Sequence, residues 1–121
     1  MCFPILKKRS QFVRVSKGGF SFHYPGFVVQ VLSFPTGEDI KDSPIQVGFT
    51  ASKKVGSAVY RNRAKRRLRS LIGMHWEEIK HTFLNPTHIV LIAKGGAFRL
   101  PFATLEKDFL KALTRVSSGD C

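Results

Sequence analysis

The chain has 121 residues, and its 20 lysines and arginines outnumber its 8 acidic residues, giving a formal net charge of +12. Hydrophobic residues make up 43% of the sequence and include 11 phenylalanines, which excludes a disordered basic tail. The length predicts one domain, residues 1–121, with a single hydrophobic core. The excess of positive charge indicates a polyanionic partner, either nucleic acid or a membrane surface.

The two cysteines, Cys2 and Cys121, stand at opposite ends of the sequence. Without a CxxC pair or a Cys/His cluster, neither a disulfide framework nor a zinc site is predicted, and a reducing cytoplasm is the expected location. The first apolar run is too short for a secretory signal, and no run approaches the length of a membrane span.

The first predicted elements are a short helix and a strand. Residues 1–9 are expected to form a loosely ordered lead-in, and Ser10 is the expected cap of a helix over 10–17. The aromatic and β-branched run 27–34 predicts a strand. Its two faces are both largely apolar, so we expect the second face to be covered or to bind something.

The later elements follow a βαβ pattern. A polar turn is predicted over 35–45, a strand over 47–52, one long helix over 57–84 and a buried strand over 88–93. A final helix carries an apolar stripe from Phe102 to Val116. The predicted order is α-β-β-α-β-α, with the strands at 47–52 and 88–93 parallel to each other.

Projected at about 100° per residue, the long helix has one apolar face and two charged flanks. Asn62, Arg66 and Arg69 lie on one flank, and Arg63 and Arg67 lie on the other. We expect its apolar face to pack on the core through Ala64, Leu68, Leu71, Ile72, Trp76, Ile79 and Phe83, with His75 inside that face.

The positive charge is concentrated at the start of this helix. Residues 53–69 contain eight lysines or arginines, and no acidic residue occurs between Ser43 and Trp76. Such density repels itself, and cations in the first turns of a helix oppose the macrodipole. A merely solvated face would mix positive and negative residues. The stretch therefore predicts binding to a polyanion, with nucleic acid as the leading candidate.

No self-contained active site is predicted. The phosphate-binding loop, dinucleotide-binding, zinc-protease and nucleophile-elbow motifs do not occur in the sequence. Glu77 and Glu78 diverge by about 100° on a helix, and His75 and His81 are expected to be surface or partly buried histidines. We therefore predict no catalytic residue and no metal site in this chain.

The sequence from Ser52 to Arg69, SKKVGSAVYRNRAKRRLR, closely resembles the signature of the bacterial ribonuclease P protein subunit. Leu6-Lys7-Lys8 followed by Phe12 is similar to that family's first helix, and Ile89 to Lys94 is similar to its central strand. The resemblance implies an α+β fold, a two-layer α/β sandwich with a roughly four-stranded mixed sheet and three helices. It also implies a left-handed βαβ crossover, against the usual rule.

The resemblance further implies a protein subunit without an active site of its own. In that family a catalytic RNA with bound Mg²⁺ removes the 5′ leader from precursor tRNA, and the protein binds the RNA and holds the leader. The expected partners are therefore the catalytic RNA subunit and precursor tRNA, with no membrane and no obligate protein partner. Magnesium is expected on the RNA rather than on the protein.

Carried over onto this sequence, the family's motif assigns two groups of residues. Arg67 joins the first group only on its charge, and Ser16 and Gln30 stand where relatives often have aromatic residues. The catalytic RNA would contact Lys53, Lys54, Arg61, Asn62, Arg63, Lys65, Arg66, Arg67 and Arg69. The leader would lie in a groove between the first helix and the sheet, lined by Phe12, Val15, Lys17, Val28 and Gln30.

Two other functions fit the composition. One is a ribosomal-type protein that stabilises folded rRNA without assisting a reaction; an open groove lined by Phe12 and Val28 would distinguish the two. The other is a DNA-binding regulator that reads the major groove with the helix over 57–84. The apolar face of that helix argues against the second alternative, because it predicts a helix half buried in its own domain.

Overall fold

The computed structural model describes residues 3–34, 45–83 and 85–117. Within them, four strands form one mixed sheet, with helices packed against it, so the predicted α+β class is confirmed. The elements are α1 Arg9–Gly18, β1 Phe20–His23, β2 Phe27–Ser33, β3 Ile45–Ala51, a 3₁₀ turn Lys53–Val55, α2 Ala58–Met74, α3 Trp76–Thr82, β4 Thr87–Ala93, α4 Gly96–Arg99 and α5 Phe102–Ser117.

The strand order across the sheet is β1-β2-β4-β3. β1 pairs antiparallel with β2, and β2 pairs antiparallel with β4. β3 and β4 are parallel neighbours, with Val47 opposite Ile89, as the βαβ pattern predicts. The handedness of the crossover between them stays a prediction from the resemblance. Of the polar turn predicted over 35–45, only Ile45 lies within the described residues, and it begins β3.

The helix predicted over 57–84 is wrong in its length, because two helices occupy the stretch. α2 ends at Met74, and α3 begins at Trp76. His75 between them has φ −112° and ψ 21°, and its N–H is shared between the carbonyls of Leu71 and Ile72. With the one-turn helix α4, the described chain has five α-helices rather than three.

One strand was missing from the sequence-based order. β1 has only four residues, and its alternation of phenylalanine with serine and histidine is too short to stand out as a strand. Its pairing with β2 from Phe20 opposite Val31 to His23 opposite Val28 places it at the edge of the sheet. The mixed four-stranded sheet implied by the resemblance is thereby complete.

From Phe3 onward, the described residues of the segment predicted to be a loosely ordered lead-in (1–9) pair and pack with the rest of the chain. The N–H of Leu6 donates to the carbonyl of Val47 (2.9 Å), and the N–H of Val47 donates to the carbonyl of Pro4 (3.1 Å). Leu6 is buried, and Phe3 stacks on Trp76 with ring centroids 5.3 Å apart. The segment therefore covers the outer edge of β3, and α1 begins at Arg9.

The main core lies between one face of the sheet and the helices α2, α3 and α5. The apolar face predicted for the long helix is confirmed: Trp76 and Phe83 pack against this core, and the side chains of Ala64, Leu68, Leu71, Ile72 and Ile79 have no exposed surface. Burial of one leucine or isoleucine side chain contributes about 1.5–3 kcal/mol. Leu68, Leu71 and Ile72 therefore fix α2 on the sheet, and Ile79 does the same for α3.

The opposite face of the sheet carries a smaller cluster. Leu6, Val15 and Val90 are buried there, and Phe12, Leu32 and Ile92 pack against them. α1 and the first residues of the chain cover only part of this face. Part of the second face of β2 is therefore covered, as one of the two expected alternatives has it. The rest remains open as a groove, and binding there stays a prediction.

His75 joins α2 and α3 to α5 through two ion pairs. Its Nδ1 lies 3.0 Å from an oxygen of Glu78, and its Nε2 lies 2.8 Å from an oxygen of Glu106. Only the protonated imidazole can donate from both nitrogens. Burial opposes the charge, but the hydrogen bonds and negative charges of Glu78 and Glu106 together outweigh it and raise the pKa of His75 above 6.5.

We expect this raised pKa to make stability depend on pH. Since the folded pKa exceeds the unfolded value, the stabilisation is fully present below pH 6.5 and is lost as pH rises through the folded pKa. Urea unfolding of the wild type and of His75→Gln should therefore differ more at pH 5.5 than at pH 8.5. His88 contributes a pH dependence of the opposite sign, because burial and the charge of Arg14 lower its pKa. Both proteins contain His88, so its contribution cancels when the unfolding free energy of the variant is subtracted from that of the wild type.

The exposed His23 offers a matched control, because His23→Gln removes a histidine that none of these carboxylates contacts. An equal wild-type-to-variant difference at both pH values for His75→Gln would contradict the assignment of the two ion pairs.

Candidate RNA-binding surface

The basic stretch begins on a turn that leads from β3 into α2. The side chain of Val55 is buried and anchors this turn, while Lys53 and Lys54 are exposed on it. Gly56 then adopts φ +131°, a conformation that residues with a Cβ rarely adopt. Ser57 takes the predicted N-cap position, although its side chain makes no capping hydrogen bond. The turn therefore presents two lysines beside the first turn of α2.

The first three turns of α2 carry the rest of the predicted basic set. The buried side chains of Ala64 and Leu68 hold these turns on the core, so the remaining positions face outward to different degrees. Asn62, Arg63, Arg66 and Arg69 are exposed, whereas Arg61, Lys65 and Arg67 are partly buried. All nine predicted RNA-binding residues thus stand on one continuous element, residues 53–69.

Two arginines lie along the flanks of α2. Arg67 donates from Nη1 to the carbonyl oxygen of Ala97 (2.8 Å), and its guanidinium lies 5.9 Å from the ring centre of Phe102. Arg69 lies on the other flank, with its guanidinium 5.5 Å from the ring centre of Phe49 in β3. Arg67 therefore also ties α2 to α4, a structural role that its charge alone did not predict.

The positive charge of this element is not neutralised within the described part of the chain. The ion pairs found there join His75 to Glu78 and Glu106, and Lys80 to Glu77, on α3 and α5. None of the eight lysines and arginines between residues 53 and 69 takes part in one of them. The buried Nε of Arg61 also lacks a hydrogen-bond partner among the described residues, although buried donors are almost always paired.

An open groove of about 470 Å³ lies between α1 and the uncovered part of the sheet. Its floor comes from β2, β3 and β4, and Lys7 and Arg9 place positive charge at its rim. The groove is lined by Lys7, Arg9, Phe12, Val13, Ser16, Gln30, Phe49, Thr50, Val90 and Ile92.

Only some of the residues predicted to line the groove do so in the structure. Phe12 and Gln30 line the groove, whereas Lys17 is exposed on α1 away from its lining and Val28 is buried on β2, opposite Ile92. The prediction that Val15 lines the groove is corrected. Its side chain packs beneath α1 in the small cluster and has no exposed surface, so it does not line the groove.

The ring of Phe12 lies directly over Gly48 of β3. A Cβ added at Gly48 would stand 2.6 Å from two atoms of that ring, closer than real Cβ contacts occur. The glycine therefore lets the phenylalanine ring lie down on the sheet. Phe12 forms part of the groove wall because β3 leaves this space.

Sequence reasoning missed several lining residues. Thr50, Val90 and Ile92 could have been found from strand alternation, because they share a face with Gly48. Phe49 belongs to the opposite set and packs against the main core, yet it reaches the groove because β3 lies at the edge of the sheet. Since Phe49 also contacts Arg69, the groove and the basic face of α2 adjoin at this residue.

Known proteins are similar to this one along nearly the whole chain. The sequence profile of the family described as Ribonuclease P matches residues 4–117. The chain belongs to the ribonuclease P protein family. A relative from Gluconacetobacter diazotrophicus, named ribonuclease P protein component, is 40% identical over 110 residues, covering 91% of this chain and 88% of the relative. A protein of the same name from Paramagnetospirillum magneticum is 36% identical, with coverages of 93% and 82%.

A solved structure of the family has a similar fold. The ribonuclease P protein from Thermotoga maritima superimposes with a TM-score of 0.67 at 26% sequence identity, covering 93% of this chain and 97% of that protein. Over the described ranges, no helix is long and apolar enough to cross a membrane. The same ranges contain no group of three His, Cys, Asp or Glu side chains placed to hold a metal ion.

Proposed function

We propose that this chain is the protein subunit of ribonuclease P, which binds the catalytic RNA with α2 and the 5′ leader of precursor tRNA in the groove. The observation that carries the proposal is the junction at Phe49, where an unneutralised cationic helix adjoins an apolar groove with a basic rim. One RNA partner can occupy the helix while a single strand lies in the groove beside it.

The basic element suits a folded RNA because its charges point in several directions. Arg66 and Arg69 project on one flank, and Arg63 on the other, so phosphates of two RNA segments are within reach of one helix. Neutralising about six phosphates corresponds to a slope of about −4 to −5.5 in a plot of log affinity against log salt concentration, at about 0.7 to 0.9 per phosphate. A slope near −1 would contradict α2 as the main contact.

The groove suits a single strand rather than a duplex. Bases of an unpaired strand are free to stack on an aromatic ring, and Phe12 offers one between the sheet and the cations Lys7 and Arg9. Ser16 and Gln30 also line the groove, so hydrogen bonds from these side chains replace the aromatic contacts that relatives often have. Mature tRNA lacks the leader, so this groove would distinguish precursor from product.

We assign the chemical step to the RNA. The positive field of the protein disfavours a divalent cation on its own surface, so Mg²⁺ is held mainly by RNA phosphates. Positive charge along α2 lowers the repulsion between catalytic RNA and precursor. The protein therefore improves substrate affinity and reduces the magnesium requirement of the complex, and the cytoplasm is its proposed location.

Cleavage of a precursor tRNA at low Mg²⁺ tests the proposal. We expect the bacterial catalytic RNA to be stimulated by this chain, and the chain alone to give no cleavage. Tight RNA binding without stimulation would favour the structural rRNA-binding alternative. Cleavage by the chain alone would overturn the assignment of the chemistry to the RNA.

A further inference from the structure

A second aromatic surface lies on the side of α2 that faces away from the groove. The ring of Tyr60 stacks on the ring of Phe98 in α4, with centroids 5.1 Å apart and an angle of 24° between their planes. Phe98 in turn packs against the main core. Tyr60 nevertheless remains 45% exposed, so a rigidly supported aromatic ring is presented to solvent.

The backbone beneath this ring is shaped to hold it. Gly56, with its positive φ, lies against Tyr60, and a Cβ added there would approach the ring carbon Cδ2 to 3.2 Å. Phe98 and Gly56 thus restrict the ring before any partner arrives. A ring that is already fixed loses little conformational entropy when another planar group stacks on it.

Two arginines lie on the same side of α2 as the pair. The guanidinium of Arg99 lies 5.2 Å from the ring centre of Phe98. Arg67, seven residues after Tyr60, falls on the same side of α2, within about 20°, and its hydrogen bond to Ala97 ties that side to α4. Arg69 falls about 180° away, beside Phe49 and the groove. The Tyr60–Phe98 pair is therefore a separate surface within the same positive field.

We propose that Tyr60, supported by Phe98, stacks on an unpaired base of the RNA that α2 binds. Proteins recognise RNA mainly where bases leave the stack, and exposed aromatic rings flanked by cations are the usual platforms for such bases. The charge around the ring disfavours an apolar or basic protein partner and suits the phosphates on either side of a splayed base. The inference rests on the proposed function, because it requires α2 to bind RNA.

The test compares Tyr60→Leu with Tyr60→Phe in binding to the bacterial catalytic RNA. Leucine keeps bulk over Gly56 but offers no ring face, whereas phenylalanine keeps the ring. We expect Tyr60→Leu to lose about 5-fold to 100-fold in affinity and Tyr60→Phe to stay within about two-fold of the wild type. The salt slope should stay unchanged, since no phosphate contact is removed.

Val59 provides the control, because it is 67% exposed next to Tyr60 and has no aromatic ring. Val59→Ala should bind as the wild type does. Chemical probing of the RNA should show one unpaired base protected by the wild type and by Tyr60→Phe, but not by Tyr60→Leu. An unchanged salt slope also shows that α2 remains folded in the variant.

Wild-type affinity in Tyr60→Leu, or an equal loss in Val59→Ala, would overturn the stacking proposal while leaving cleavage stimulation by the wild type intact. Equal losses in Tyr60→Leu and Tyr60→Phe would overturn it as well, because they would point to the hydroxyl. Failure of the wild-type chain to bind the catalytic RNA would overturn both this inference and the proposed function.

Discussion

Replacing Arg63 and Arg66 together with alanine is expected to weaken binding to the catalytic RNA about 30-fold near 0.15 M salt. Each phosphate contact contributes about 0.9 to the salt slope. The affinity gained from one contact is therefore about 5-fold greater at 0.15 M than at 1 M salt. Both side chains are exposed on different flanks of α2, so their removal leaves the buried face of the helix unchanged. The slope itself should become less negative by about 1.8.

Lys107 and Lys111 supply the matched control, since both are exposed on the outer face of α5 and their replacement lowers the net charge by the same amount. The double alanine variant there should bind RNA nearly as the wild type does. Equal weakening in the two double variants would mean that net charge, rather than α2, determines affinity. Arg67 is less suitable for this test, because its bond to the carbonyl of Ala97 also stabilises the fold.

The buried face of α2 was predictable because its signal is local. Ala64, Leu68 and Ile72 recur at helical spacing among charged residues, and only one helix orientation buries them together. β4 was predictable for a similar reason, since a continuous apolar run between turn residues indicates a strand buried on both faces. Neither inference required knowing where the rest of the chain lies.

The break at His75 is invisible to the same reasoning. Trp76 and Ile79 continue the apolar face of α2 across the break, so the periodicity predicts one helix. What distinguishes His75 is a bond to Glu106, 31 residues further on, and no local pattern contains that partner. The burial of Val15 could not be predicted from a local pattern either. Phe12 and Val15 share a helix face, and only the packing of α1 on the sheet places Phe12 at the groove and Val15 beneath the helix.

The junction of the two candidate surfaces was also beyond the sequence. Phe49 alternates with Gly48 and Thr50, which assigns it to the core side of β3. Its access to the groove follows from the position of β3 at the edge of the sheet, and its contact with Arg69 follows from the packing of α2 over that edge. Strand order is a property of the whole fold, so a residue that joins two surfaces at an edge is found only in the structure.

Phe12→Ala is expected to weaken binding of precursor tRNA to the complete ribonucleoprotein about 5-fold to 100-fold and to leave binding of mature tRNA unchanged. The loss corresponds to one base–aromatic stack, about 1–3 kcal/mol. Phe12 is the only aromatic residue of α1, and the groove-lining position one turn further on along that helix is Ser16. On β2, the lining residue is Gln30 rather than an aromatic residue. Equilibrium binding of both tRNAs to wild-type and variant complexes measures the difference.

Phe20→Ala is the matched control, because Phe20 is 54% exposed at the edge strand β1 and lines a different cavity. It should leave the binding of both tRNAs unchanged. Gly48→Ala tests the same site through the sheet below the Phe12 ring. The added Cβ would stand 2.6 Å from that ring and force it to move. Precursor binding should therefore also weaken, but by less than in Phe12→Ala. Equal losses for precursor and mature tRNA in Phe12→Ala would contradict the leader groove, because mature tRNA has no strand to place there.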